Sequence, residues 1–180
     1  MAKTELTVEM ERQIYGATKK RGVFGCFEVT IGWYGKERVD YLTYDTKGIW
    51  RCYEVKVSLA DFRSNSFTTF VGHYNYYVMP EELYEKVKYE IPKHIGVYVG
   101  KTLVKRARKQ ELGVDEDVLK NSFIRSLYRE ADKVLRSKNP SVVESLQRQL
   151  RNERKLKEEY RRKYQEERRK VEPRSRRKVQ

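Results

Sequence analysis

Apolar residues recur at helical spacing at the start of the chain and at alternate positions directly after it. Between Thr4 and Lys20 they return every three or four residues, which predicts an amphipathic helix. Its apolar face consists of Leu6, Met10, Ile14 and Ala17. From Val23 to Trp33 the pattern alternates instead, which predicts a strand with one apolar face. That face consists of Phe27, Val29, Ile31 and Trp33.

Two further alternating runs form a predicted hairpin. Residues 38–44 read RVDYLTY and residues 49–57 read IWRCYEVKV, and the turn DTKG separates them. Both runs are rich in β-branched and aromatic residues, which favour strands.

The next segments predict alternating helices and strands. We expect a loop and a helix over 58–74, a buried strand over 76–79, a helix over 81–90 and a strand over 95–99. Early antiparallel strands followed by helical crossovers indicate a mixed α/β domain, with helices flanking a central sheet. We expect this domain, residues 1–112, to end near Leu112.

The C-terminal third is predicted to be helical. Residues 113–138 hold an amphipathic helix that can dock on the domain, and Asn139-Pro140 interrupts it. Residues 139–180 hold a long charged helix from Ser141 to Val171. Six of its nine heptad positions are apolar, so a coiled coil that forms a homodimer and a single solvated helix both stay open. The polar end after Pro173 is predicted to be disordered.

Charge narrows the class of partner. The formal net charge is +14, and residues 141–180 carry fifteen Lys and Arg against seven Glu, or +8. Such an excess predicts an acidic polymer as the partner, above all a nucleic acid. An anionic membrane is a weaker fit, because the basic segment lacks a broad apolar face.

Cysteine content and hydropathy indicate where in the cell the protein is expected. Cys26 and Cys52 both fall in predicted strands without a C-x-x-C partner, which argues against a zinc site and suits reduced thiols. No run of about eighteen apolar residues occurs. We therefore expect a soluble cytoplasmic protein.

The hairpin also holds the candidate chemistry. Glu54 and Lys56 are two residues apart and must project from one face of their strand, while Asp40 lies in the neighbouring strand. Two acidic groups and an ammonium around one point suit a hard divalent cation and a phosphate. The E-x-K string alone has little meaning in so charged a chain, so its placement on an apolar strand carries the signal.

At these residues the chain resembles the PD-(D/E)XK nuclease superfamily. The strings RVDYLTYD and EVKVSLADFRS are similar to those of MmcB-like DNA-repair nucleases and of phage-encoded proteins of that fold. The resemblance covers roughly Glu9 to Val99 and departs from the pattern where Val39 replaces the proline before Asp40. It implies a restriction-endonuclease-like αβββαβ core with a mixed sheet.

The resemblance also implies roles for individual residues. Asp40 and Glu54, helped by the Val55 carbonyl, would bind Mg²⁺ or Mn²⁺, and Lys56 would orient water or stabilise charge on the phosphate. Many members add a glutamate from the first helix. Glu9 and Glu11 are both candidates here, and we favour Glu11 because it stands at the edge of the buried face.

Other polar residues have weaker functional interpretations. A basic string after the last predicted strand is a candidate phosphate-binding patch, comprising Lys101, Lys105, Arg106, Arg108 and Lys109. A structural role is favoured for His73, a turn cap for Asp45 and a helix cap for Asp61. Glu28 is either an exposed strand residue or a further acidic group of the site.

Two functions follow from these observations. The first is a metal-dependent DNA endonuclease encoded by a phage or mobile element. The alternative is a non-catalytic protein on a nuclease fold, a phage accessory or anti-defence protein that binds nucleic acid or another protein.

Overall fold

The fold is taken from a computed structural model that describes residues 3–33, 35, 37–64 and 68–171, with side chains up to residue 168. The chain divides into two compact units, Met1–Arg129 and Glu130–Gln180. The predicted disorder after Pro173 lies outside the described residues.

Six strands and five helices form the described structure. In chain order they are α1 Glu5–Thr18, β1 Val23–Thr30, β2 Arg38–Asp45, β3 Trp50–Val55, α2 Leu59–Arg63, β4 Tyr74–Met79, α3 Glu81–Val87, β5 Gly96–Val99, β6 Thr102–Lys105, α4 Glu116–Ser137 and α5 Pro140–Val171.

The six strands make one mixed sheet in sequence order, β1-β2-β3-β4-β5-β6. The first three strands are antiparallel, β3, β4 and β5 are parallel, and β6 is antiparallel to β5. The carboxyl ends of β1, β3, β4 and β5 therefore lie at one edge of the sheet, together with the starts of β2 and β6. We call this row of strand ends the carboxyl edge, and the opposite row of strand ends the amino edge.

Helices cover both faces of the sheet. Met10 and Ile14 of α1 pack with a tyrosine cluster on one face, which comprises Tyr41, Tyr53 and Tyr76. Leu119 and Phe123 of α4 pack on the other face, against Leu42, Trp50 and Cys52. The mixed α/β architecture with flanking helices thus agrees with the sequence prediction.

The sixth strand was not predicted. Thr102–Lys105 pairs with β5 through a two-residue turn that begins at Gly100, whose φ of 57° suits glycine. Leu103 and Val104 are both exposed on this edge strand, so no alternation of buried and polar residues marks it in the sequence.

In the second unit, α5 begins at Pro140, where the sequence predicted a helix break. Proline is favoured at the first position of a helix because its missing N–H needs no partner there. No helix in the described part of the chain is both long and apolar enough to cross a membrane.

Candidate active site

Asp40, Glu54 and Lys56 all lie at the carboxyl edge, where β2 and β3 separate. The β2–β3 ladder ends with the pair Tyr41–Tyr53. Two residues beyond Tyr53, the Val55 N–H donates to the Asp40 side chain, at 2.9 Å from Oδ2. The Asp40 carboxylate therefore stands in the opening between the two strands.

Glu54 is the most deeply buried acidic group of the site. It is 2% exposed, and its Oε1 atom has no hydrogen-bond partner among the described residues. Burial raises the pKa of Glu54 to about 9, and the charge of Asp40 adds to the rise. The ammonium of Lys56 acts in the opposite direction. Glu54 is thus protonated at neutral pH and electrostatically coupled to both other candidates.

Asp40 experiences the same competition between burial and charge. Burial raises its pKa above the ordinary value, against the hydrogen bond from Val55 and the positive charges of Lys56, Arg38 and Lys3. The residues predicted to act together therefore do influence one another. Neighbouring carboxyl groups with raised pKa values are frequent at functional sites.

Lys56 is held in place by groups on either side. Its N–H continues the β3–β4 pairing by donating to Val78 O at 2.9 Å. Its side chain is buried, with the residue 5% exposed, and Nζ lies 3.6 Å from Asp61 Oδ1. Asp61 also accepts from the Val57 N–H at 3.1 Å, while Ser58 caps α2. The predicted helix cap at Asp61 was wrong, and Asp61 instead positions Lys56.

A groove of about 620 Å³ opens at Val57, and Lys56 is not among the residues that line it. It lies at the ends of β3 and β4 and is lined in part by Leu6, Val57, Leu59 and Pro80. The ends of parallel strands are the usual place for ligands in open α/β sheets.

In β1 and β2, the side chains stop alternating regularly between the two faces of the sheet next to Asp40. Phe27 and Tyr41 pack with the α1 cluster, whereas Val29 and Val39, two residues away in each strand, pack with the α4 cluster. Glu28, between them in β1, has a φ of 53°. The predicted common face of Phe27, Val29 and Ile31 was therefore wrong, because a left-handed residue inside the strand reverses the order of its faces.

Lys3 links two acidic residues of this region. Its Nζ lies 2.6 Å from Glu11 Oε1 and 2.7 Å from Glu28 Oε1. Burial lowers the pKa of Lys3, but the hydrogen bonds to Glu11 and Glu28 outweigh it and raise that pKa overall. Glu9 instead pairs with Arg12 on the exposed side of α1. Of the two candidate glutamates, Glu11 is the one connected to the surroundings of Asp40.

The predicted basic string is divided between the two edges of the sheet. Lys101 lies in the β5–β6 turn at the carboxyl edge, whereas β6 carries the chain away from it. Arg108 N–H donates to His94 O, before the start of β5, so Arg106, Arg108 and Lys109 follow the amino edge. Lys105 Nζ donates to Ile91 O and Pro92 O at 3.2 and 2.7 Å. The string is therefore not an extension of the Asp40 site, and contact with DNA stays a prediction.

Two other predicted roles are structural in the fold. His73 Nδ1 accepts the Trp50 N–H at 3.1 Å, and Asp45 Oδ1 accepts the N–H groups of Lys47 and Ile49 in its own turn. Both residues stabilise backbone, as predicted.

The donor set for a cation is small. Within residues 3–33, 35, 37–64 and 68–171, no group of three or more His, Cys, Asp or Glu side chains could hold a metal ion. Asp40, Glu54 and the Val55 carbonyl remain as possible ligands. The unpartnered buried Glu54 oxygen fits such a role, since Mg²⁺ commonly uses one or two carboxylates and keeps several waters.

Comparison with known proteins shows a likeness of fold. No family model matches the chain, and no curated protein matches it. A solved structure of a protein of unknown function from Silicibacter pomeroyi superposes with a TM-score of 0.57 at 17% identity. The match covers 76% of this chain and 92% of that chain. It establishes the fold alone.

Proposed function

We propose that this protein is a metal-dependent nuclease that hydrolyses DNA phosphodiester bonds on a restriction-endonuclease-like αβββαβ core. The observation that carries the proposal is Glu54, a buried carboxyl group beside Asp40 and Lys56, whose Oε1 has no hydrogen-bond partner in the described part of the chain. Burying such a group costs free energy, and a folded protein retains it where a ligand or a reaction requires it.

Asp40, Glu54 and the Val55 carbonyl would hold Mg²⁺ or Mn²⁺. When bound, the ion would lower the pKa of a water and neutralise charge on the phosphate. Because the pKa of Glu54 is about 9, this residue would have to give up its proton in order to bind the ion. Metal affinity is therefore expected to rise with pH through neutrality.

Lys56 would stabilise the negative charge that develops on the phosphate. A buried ammonium fixed before the reaction is effective because its surroundings need not reorganise. Asp61 keeps this ammonium in place from the side of α2. Glu11, which pairs with Lys3, is the acidic group that α1 would contribute to the same site.

The test is cleavage of supercoiled plasmid, branched DNA and single-stranded DNA with Mg²⁺ or Mn²⁺. We expect Lys56→Ala to lower the cleavage rate by roughly 10²- to 10³-fold, the usual effect of removing one group that stabilises transition-state charge. Lys88→Ala is the matched control, because Lys88 is a surface residue paired with Glu85 on α3. Equal cleavage by the Lys56→Ala protein would rule out the assignment.

A non-catalytic binding protein is the second candidate. It is favoured by the small set of carboxylates in the described residues and by the Lys3 ammonium that binds Glu11. In that case metal-free binding of DNA or protein would survive Asp40→Ala. It would be lost when the basic segment 141–180 is removed.

A further inference from the structure

Trp33 is a large aromatic side chain that the fold leaves in solvent. It is 78% exposed in the β1–β2 connection, whereas Trp50 is 1% exposed in the core. A tryptophan normally buries most of its surface, so an exposed one at a fixed place suggests a contact with a partner.

The backbone just before Trp33 is hydrogen-bonded at two consecutive residues. Ile31 is buried and its N–H donates to Glu37 O at 3.0 Å. The Gly32 N–H donates to the buried Ser122 Oγ at 2.9 Å. The φ of Gly32 is 73°, a conformation that suits glycine and turns the chain outward before Trp33. The exposed ring is thus presented from an anchored turn.

Arg125 supports the ring from below. Its guanidinium carbon lies 4.9 Å from the centre of the Trp33 ring. Its Nη2 donates to Thr30 O at 2.9 Å and to Gly32 O at 2.6 Å, which fixes the guanidinium in place. One side of the ring is therefore occupied by a cation, and the rest of the ring is open to solvent.

This turn lies at the carboxyl edge, the edge of the proposed catalytic site. It joins the end of β1 to the start of β2, and Thr30 pairs there with Arg38, two residues before Asp40. Arg38 is exposed and lies close enough to act on the charge of Asp40. A polymer bound at Asp40 can therefore extend across Arg38 to Trp33.

We infer that Trp33, supported by Arg125, is a stacking platform for an unpaired nucleobase of the DNA strand bound at the Asp40 site. A flat aromatic face next to guanidinium groups matches a ligand that combines bases with phosphates, and stacking accepts any base. The inference rests on the proposed nuclease function for the position of the strand. It narrows the substrate to DNA with single-stranded segments, such as flaps, bubbles or frayed ends.

The experiment measures binding of the full chain to a fluorescein-labelled single-stranded oligonucleotide and to its blunt duplex, in EDTA and at fixed salt. Trp33→Ala should weaken single-strand binding about tenfold, within the range for loss of one stacked base, and change duplex binding little. Trp33→Phe should retain most of the affinity. Tyr89→Ala is the matched control, because Tyr89 is 91% exposed beside Lys88 and lies before β5 at the amino edge.

A second readout does not depend on a substitution. Single-stranded DNA should quench the fluorescence of the wild-type protein, since Trp33 is the exposed tryptophan of the two. Unchanged fluorescence, or equal single-strand binding by wild type and Trp33→Ala, would overturn the inference. An equal loss on single strand and duplex would also overturn it. Vesicles of phosphatidylglycerol test a membrane as the partner instead. If Trp33→Ala lost binding to these vesicles but bound single-stranded DNA as wild type does, the inference would also be overturned.

Failure of this inference and failure of the nuclease proposal are distinguishable. Full cleavage by Lys56→Ala rejects the catalytic assignment whatever Trp33 does. Normal single-strand binding by Trp33→Ala rejects the platform while leaving metal-dependent cleavage intact.

Discussion

Glu54 carries a proton at neutral pH because burial, reinforced by the charge of Asp40, raises its pKa to about 9 from the ordinary value of 4.5. The unfolded chain therefore loses this proton at lower pH than the folded chain does. Between these two pKa values, rising pH favours unfolding through this group. Glu54→Gln removes that dependence. We expect the stability of wild type relative to the variant to fall by about 4 kcal/mol, as an upper figure, between pH 5 and pH 8.

Urea denaturation of the metal-free proteins at several pH values measures this difference. The control is Glu9→Gln, because the pKa of the partly exposed Glu9 is lowered by its hydrogen bonds to Arg12 and Gln13. Glu9 is ionised in both folded and unfolded chains over this range. The difference in free energy of unfolding between wild type and Glu9→Gln should therefore stay constant with pH. If the free energies of unfolding of wild type and Glu54→Gln changed with pH in parallel, the raised pKa of Glu54 would be contradicted.

At the scale of residues, period-two alternation predicted that Glu54 and Lys56 share one face, and in the structure the charges of Asp40 and Lys56 both act on the pKa of the buried Glu54. The sequence could not show that Lys3 binds Glu11 and Glu28, because that contact depends on where α1 packs. Asp61 was missed as a partner of Lys56 for a related reason. Its position after Ser58 fits a helix cap equally well, and only the fold decides which N–H it accepts.

At the scale of elements, the most unusual feature is the left-handed residue inside β1. Glu28 has a φ of 53°, which costs roughly 1–2 kcal/mol for a residue with a Cβ atom. Glycine adopts this conformation without that cost. We therefore expect Glu28→Gly to be more stable than Glu28→Ala by about 1 kcal/mol in chemical denaturation, since both variants lose the ion pair with Lys3.

Phe24 provides the control for this comparison, because it is a half-exposed residue in a regular part of the same strand. There the order should be reversed, with the alanine variant more stable than the glycine variant by roughly 0.5–1 kcal/mol. Finding alanine better than glycine at both positions would show that Glu28 is not strained.

The sequence predicted those elements that bury one regular face, and it failed where a strand is interrupted or exposed. Helical and strand periodicity located α1, the β2–β3 hairpin, β4, α3 and α4 to within a few residues, since each buries one regular face. The faces of β1 were wrong beyond Phe27, because periodicity assumes an unbroken strand and Glu28 interrupts it. β6 was missed because an exposed edge strand buries nothing.

At the scale of the whole molecule, α5 decides whether the chain associates. Its heptad positions present Leu146, Leu150, Tyr160 and Tyr164, and all four are exposed in the single chain. We expect the full-length protein to dimerise through this seam as its concentration rises over about a hundredfold range in sedimentation equilibrium. Leu146→Glu with Leu150→Glu should give a monomer, because each charge would be buried without a partner in the seam.

Leu156→Glu is the control, since Leu156 is similarly exposed but lies outside the seam and should leave the dimer intact. A wild-type protein that stays monomeric throughout would instead establish α5 as a single solvated helix, and its +8 segment would then act from one chain alone.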